Sequence, residues 1–313
     1  MTIPLQVKRG DNPTVPWVDN HANVLHVGKR RIGLPTAGYV YSFRRVGARR
    51  FVVQDNIWHD FDVTQQRLYV VGVGKPRLLT KHMSGGYQVS VRPRGQVAYG
   101  LYRVHARPHQ VIRVQRVDNG KVVGQRGSGS GPLAFRDGKV WLDKGGKLQV
   151  WNRHSGRVYR TGHPAAAAVD LVHGFAVRRH GQVRMTFFPL RTGAPWKAWT
   201  TPENSGLYAW SPDGNLVATW RFGGDDGQFV GSVQMRNART GHVVRSFRPA
   251  GQAYFVARWE TSKRLLVSAD GQKKIHLLRL RPNGSYRAAS GEGGYEFGGL
   301  GYVPGWTANG PGA

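Results

Sequence analysis

Residues 207–248 read LYAWSPDGNLVATWRFGGDDGQFVGSVQMRNARTGHVVRSFR, and this stretch decides the fold. An apolar strand ends at a tight turn, Trp210–Gly214, where Pro212 presets one backbone angle and Asp213 with Gly214 tolerates a positive one. A second strand follows with period-2 alternation, Leu216, Ala218 and Trp220 against Val217, Thr219 and Arg221. A hairpin over Ser232–Phe247 then turns at Arg239, Thr240 and Gly241. Four short strands in about 42 residues, with no segment of helical period, make one antiparallel sheet that cannot bury both faces alone. Such a sheet has to stack on copies of itself.

The rest of the chain supplies the copies. A hairpin-turn glycine recurs at Gly28, Gly74, Gly120, Gly156, Gly193, Gly241 and Gly284, spaced 36 to 48 residues apart. A second series runs in phase with it: Gly47, Gly95, Gly138, Gly174 and Gly214, continuing without glycine as Glu260–Lys263 and ending near Gly305. Two interleaved series with matching intervals mean seven repeats. The seventh is split, because the chain opens with a lone hairpin, Val24–Leu34, and closes with a lone opening half, Tyr295–Trp306. Joined, these halves complete one sheet, leave no exposed end sheet and tether the termini. The expected fold class is all-β, a closed seven-bladed β-propeller of four-stranded antiparallel blades. It occupies 16–306, with 1–15 as a loose lead and 307–313 as a tail.

Composition narrows the chemistry. The chain has no cysteine, which removes disulfides, thiolate metal sites and a cysteine nucleophile. No apolar run approaches the roughly 18 residues of a membrane span. The N-terminus lacks the apolar core of a signal peptide. As it stands the sequence places the protein in the cytoplasm, or in the envelope or outside the cell if an export segment has been removed. The charge is the anomaly: 46 Lys and Arg against 17 carboxylates give +29, spread over every repeat. Such a field favours polyanionic partners and disfavours self-association, so a monomer is expected.

The stretch WSPDGNLVATW followed by MRNARTGHVV resembles the WD40-like repeats of TolB-type propellers, and the layout over about residues 16–306 is similar to propellers of high-GC Gram-positive bacteria. The blades lack the Gly-His and Trp-Asp pairs of true WD40 repeats, and Asn152 and Asn237 stand where such hairpins often carry Asp. The resemblance implies the propeller fold and, for function, mostly protein interaction. Trp141, Trp151, Trp196, Trp210, Trp220 and Trp259 read as blade-to-blade core. Trp220 is expected between blades, where Trp220→Ala would cost about 3–5 kcal/mol.

Function on a propeller sits on the face made by the second-to-third and fourth-to-next connections. Gln54–Asp62 offers Asp55, His59, Asp60 and Asp62; Gly223–Gly227 offers Asp225 and Asp226. The adjacent aspartates fall short of the roughly six oxygens of a calcium site, and Pro108 argues for a loop around His105 and His109, so no metal is expected. No nucleophile elbow, zinc-protease motif, phosphate loop or carboxylate dyad is present, and no cofactor is implied. The connections of the second, fourth and sixth blades are instead basic. Arg103, Arg107, His105 and His109 lie in the second, Arg178, Arg179 and His180 in the fourth, and Lys273 and Lys274 in the sixth.

Three functions follow from three classes. The leading one is a non-catalytic module presenting loops to a protein or an anionic polymer. Another is a dedicated polyanion binder, taking nucleic acid without sequence preference. The third is a hydrolase or lyase with His59, Asp60, His105 and Asp226 around the channel mouth. A fourth reading makes +29 only a solubilising coat.

Overall fold

The computed structural model describes residues 2–3, 14–19, 22–36, 38–59, 62–90, 95–102, 110–128, 130–180, 184–191, 194, 196–223, 230–249, 257–270 and 275–288. Among these residues the regular structure is entirely strand, in seven sheets that form the blades of a β-propeller. Blade one holds β5 (Tyr39–Arg45), β6 (Phe51–His59), β7 (Asp62–Val71) and β8 (Arg77–Thr80). Blade two holds β9 (Met83–Val89), β10 (Gln96–Tyr102), β11 (Gln110–Arg116) and β12 (Val122–Gly127). Blade three holds β13 (Pro132–Arg136), β14 (Lys139–Lys144), β15 (Lys147–Asn152) and β16 (Val158–Pro164). Blade four follows as β17 (Ala168–Asp170), β18 (Phe175–His180), β19 (Arg184–Pro189) and β20 (Trp199–Thr200). Blade five, the stretch that decided the fold, is β21 (Ser205–Trp210), β22 (Leu216–Gly223), β23 (Val230–Asn237) and β24 (Val243–Pro249). Blade six is β25 (Ala257–Thr261), β26 (Arg264–Asp270), β27 (Ile275–Leu280) and β28 (Tyr286–Ala288). In each of these blades the strands lie in sequence order, as successive hairpins dictate.

The remaining sheet holds the opening hairpin, β3 (Val24–Val27) and β4 (Arg30–Gly33), with a third strand, β2 (Trp17–Asp19), that the repeat pattern does not reveal. Its expected completion by Tyr295–Trp306 lies outside the described residues. β1 (Thr2–Ile3) pairs in parallel with β24, Thr2 opposite Arg248 and Ile3 opposite Pro249.

The turn chemistry is as expected. Gly28, Gly74, Gly120, Gly156, Gly241 and Gly284 all hold positive φ, from 59° to 91°, while Gly193 lies outside the described residues. Asparagine does the work of aspartate in two hairpins. Asn152 Oδ1 accepts the backbone N–H groups of His154 and Ser155, and Asn237 Oδ1 those of Arg239 and Thr240.

Two compact units divide the chain, Met1–Gly33 with Arg179–Pro311 and Leu34–Arg178 with Gly312–Ala313, the boundary falling within β18. Inside the second, Val52, Leu68 and Val70 of blade one pack on Tyr87, Val89 and Tyr99 of blade two. Ile112 and Val114 of blade two pack on Phe135, Val140 and Trp151 of blade three. Inside the first, Ala218, Met235 and Phe247 of blade five pack on Trp259, Leu265 and Leu278 of blade six. Central strands are thus buried on both faces; Val217, Ala218 and Thr219 in succession have no exposed surface.

Each unit also uses a recurring polar link. A side chain on the fourth strand of one blade donates to a backbone carbonyl in the third-to-fourth turn of the next. Arg77 Nη1 reaches Asp118 O at 2.9 Å, and Arg126 Nη1 reaches Gly156 O at 3.2 Å. Trp199 Nε1 reaches Ala238 O at 2.9 Å, and Arg245 Nε reaches Pro282 O at 3.3 Å. Three of the four donors are arginine, so part of the arginine excess holds blades together. Charge-assisted bonds to turn carbonyls suit that task.

Trp151, Trp210 and Trp259 are buried between blades, but Trp141 and Trp196 are only half-buried, and so is Trp220. Register explains the difference: Trp220 sits directly opposite Gly206, and its ring occupies the space a Cβ there would need. The indole covers its own sheet's glycine instead of filling a seam. Trp220→Ala is therefore expected to cost about 1–2 kcal/mol, read as a modest drop in the urea midpoint. Gly206→Ala, by contrast, has to expel the ring.

Candidate functional site

The described second-to-third connections differ sharply in charge. In blade four, β18 leaves the core midway: Phe175, Ala176 and Val177 are buried, whereas Arg178, Arg179 and His180 are exposed. The return strand β19 opens with a further arginine. Arg184 Nη2 donates to Glu203 Oε1 at 2.7 Å, an exposed pair worth little in water. His180 Nε2 lies 3.0 Å from Thr186 Oγ1, which shares a 2.8 Å bond with Thr200 Oγ1. This hydroxyl pair fixes the imidazole beside the two exposed arginines.

Blade three adds a basic connection that the sequence reading missed. β14 and β15 join through Gly145 and Gly146, at φ 62° and 73°, the two positive values of a type I′ hairpin. That turn sets Lys144 directly opposite Lys147, both exposed. Like charges facing across a ladder destabilise it. The neighbouring Asp143 offers incomplete relief: burial pushes its carboxyl above the usual carboxylate range, against the N–H groups of Gly146 and Lys147. The signal was legible, since Gly-Gly between alternating strands marks such a turn. In blade five, Arg221 is exposed near the corresponding end of β22.

Blade one is the correction. Gln54–Asp62 is not a loop, because β6 and β7 extend almost to their junction, with Asp55 opposite Arg67. Asp55 is fully buried and accepts from Arg67 through both carboxylate oxygens, Nε at 3.0 Å on Oδ1 and Nη2 on Oδ2. It holds the hairpin together and is not available at its end. His59 is exposed there. Of the other candidates that the sequence suggests, Arg103, His105, Arg107, His109, Lys273, Lys274, Asp60, Asp225 and Asp226 lie outside the described residues.

The opposite ends of the blades carry turn chemistry. Asp213 Oδ1 accepts from Ser211 Oγ at 2.6 Å and from Asn215 N at 3.1 Å. Burial raises the Asp213 carboxyl, but these bonds outweigh it and hold the group below its ordinary value. Asp170 binds the N–H groups of Val172 and His173 and, at 2.7 Å, His173 Nδ1. Among the described residues no three His, Asp or Glu side chains gather in a metal-binding group, and no helix is long and apolar enough to cross a membrane.

No protein-family model matches the chain, and no curated protein matches it by sequence. Solved structures match in fold. A functionally unknown protein from Desulfotomaculum acetoxidans DSM 771 is 13% identical over 88% of this chain and 95% of that one, with a TM-score of 0.55. A chain of the Mitotic Checkpoint Complex is 12% identical over 93% and 86%, with a TM-score of 0.53. The RRP9 WD40 repeats are 10% identical over 82% of each chain, with a TM-score of 0.51. At such identities the likeness is one of fold, the β-propeller.

Proposed function

We propose that the protein is a non-catalytic binding module, a rigid propeller that presents its second-to-third connections to a protein or an anionic polymer. One observation carries the reading. Exposed cations mark this end of two blades, each taken by itself: Lys144 stands directly opposite Lys147 in blade three, where like charges cost stability, and Arg178, Arg179 and His180 follow one another in blade four. An anionic partner turns that cost into affinity. Rigidity supports the same reading, since a surface fixed by buried seams and turn-to-strand links loses little entropy on binding. The fold neighbour from the Mitotic Checkpoint Complex belongs to a protein assembly, which agrees with a docking role. Binding of polymer is expected to follow charge and not sequence, weakening linearly in log salt with a slope of about −0.9 per duplex phosphate neutralised. Guanidinium groups favour phosphate or sulfate through bidentate contacts that lysine lacks.

The test removes equal charge from two places. Lys144/Lys147/Arg178/Arg179→Ser takes four exposed cations from the second-to-third ends of blades three and four, and Arg30/Arg31/Arg157/Arg160→Ser takes four exposed ones from outer strands and their turns. Heparin affinity is expected to fall at least about tenfold in the first variant beyond the second, with a shallower salt slope. Equal losses in both would make the charge a diffuse coat.

A further inference from the structure

Blade five holds one strand more than its repeat supplies. Outside β24, its fourth strand, β1 adds in parallel, with Thr2 opposite Arg248 and Ile3 opposite Pro249. Successive hairpins make only antiparallel pairs, so a parallel neighbour arrives from elsewhere in the chain. Among the described residues the outer strands β8, β12, β16, β20 and β28 receive no fifth strand.

The register says where an added strand fits. Met235 faces Arg245 but Arg236 faces Val243, so the ladder shifts at Val244, as at a bulge. The regular outer edge therefore runs from Arg245 to Pro249, which has no backbone N–H with which to continue it. β1 faces only Arg248 and Pro249. That ladder is well short of an ordinary strand of about five or six residues. A five-residue segment in the same parallel register lies alongside Arg245–Pro249 whole.

Charge defines the chemistry of such a segment. Arg245 and Arg248 are exposed, and Arg245 is steadied by its Nε bond to Pro282 O at 3.3 Å. Thr2, opposite Arg248, brings no charge. Carboxylates facing Arg245 and Arg248 make two cross-strand pairs of opposite sign. A second copy of this chain does not suit, because at +29 it repels itself and its Thr2–Ile3 is neutral.

We infer that the outer edge of β24 docks an extended acidic segment of another protein, which adds in parallel along Arg245–Pro249 and takes the place of Thr2–Ile3. Backbone bonds along the edge supply affinity, and the two arginines select carboxylates. Until a partner arrives, β1 covers the end of the edge and limits unspecific pairing there. The inference does not depend on polymer binding at the connections of blades three and four.

The probe is a fluorescein-labelled peptide, Glu-Val-Thr-Glu-Ile, whose glutamates fall opposite Arg245 and Arg248; fluorescence anisotropy reads its binding. The control, Glu-Pro-Pro-Glu-Ile, keeps the charge but removes backbone N–H groups from both sides of the segment. The wild type is expected to bind the first peptide at least about fivefold more tightly than the control. Arg245→Gln/Arg248→Gln is expected to weaken the first peptide by at least about fivefold, whereas Arg157/Arg160→Gln, an equal loss of exposed charge from blade three, leaves it unchanged. Thr2→Pro/Ile3→Pro removes the tethered competitor and is expected to tighten binding about threefold. No binding below about 1 mM, equal affinity for the two peptides, equal losses in the two arginine variants, or an unchanged affinity in Thr2→Pro/Ile3→Pro overturns the site. The comparison of peptides needs only the wild type, so it decides even if a variant does not fold.

Discussion

Glu260→Gln is expected to lower the stability of the protein by about 3–5 kcal/mol, the usual cost of leaving one half of a buried ion pair without the other. Glu260 has no exposed side-chain surface, and Arg279 donates to it from Nε at 2.6 Å and from Nη2 at 2.9 Å. The backbone N–H of Thr14 adds a third bond at 2.8 Å, so the loss also frees the chain ahead of β2. Burial pushes this carboxyl up, but the bonds from Arg279 and Thr14 with the arginine's charge outweigh it, and the folded-state value lies below the ordinary one. The sign of the pH effect follows. A carboxylate depressed on folding stabilises above its unfolded pKa, about 4.3, and loses that contribution as pH falls through the folded value. Wild-type stability should therefore drop on acidification below about pH 5, and Glu260→Gln should show a flatter acid limb from a lower plateau. Urea midpoints from pH 7 to pH 3 measure both. Replacing the pair together, Glu260→Gln with Arg279→Met, should recover most of the loss, since removing both charges removes the desolvation penalty.

Trp259→Ala is expected to cost about 3–5 kcal/mol. The side chain is 1% exposed, packs with Met235, Phe247, Leu265 and Leu278 across the seam of blades five and six, and donates from Nε1 to Ala209 O at 3.1 Å. Truncation opens a cavity in a seam made of two sheets, neither of which collapses alone, and it strands a carbonyl. Trp259→Phe keeps most of the volume and should cost less than half as much. A urea midpoint unchanged in the alanine variant would mean that the seam is not part of the cooperative core.

The fold was legible because its signals are local. A glycine at positive φ is demanded by the hairpin whatever surrounds it, so Gly28, Gly74, Gly120, Gly156, Gly241 and Gly284 mark the repeats directly. What was not legible depends on register and on neighbours far along the chain. Trp220 alternates with core residues, yet its cross-strand partner is a glycine, and that decides where the indole lies. Asp55 stands in a polar run that resembles a loop, and only pairing with Arg67, a dozen residues later, makes it a buried strand residue. The links from Arg77, Arg126 and Arg245 to the next blade's turn have no sequence mark at all, because any surface arginine reads alike. The basic end of blade three is legible in Lys144-Gly-Gly-Lys147, where a glycine pair between alternating strands marks the turn.

These links divide the arginines into those that hold blades together and those that face outward. Hydrogen-exchange footprinting of the protein with and without heparin tests the proposed use of the second group most directly. Backbone amides exchange more slowly where a ligand is held, and each end of a blade reports separately. The proposal predicts protection at Lys144–Lys147 and Arg178–Arg184, with the third-to-fourth turns at Asp118–Lys121 and Asn237–His242 unchanged. Protection concentrated at those turns, or spread evenly over both ends of the blades, would contradict it.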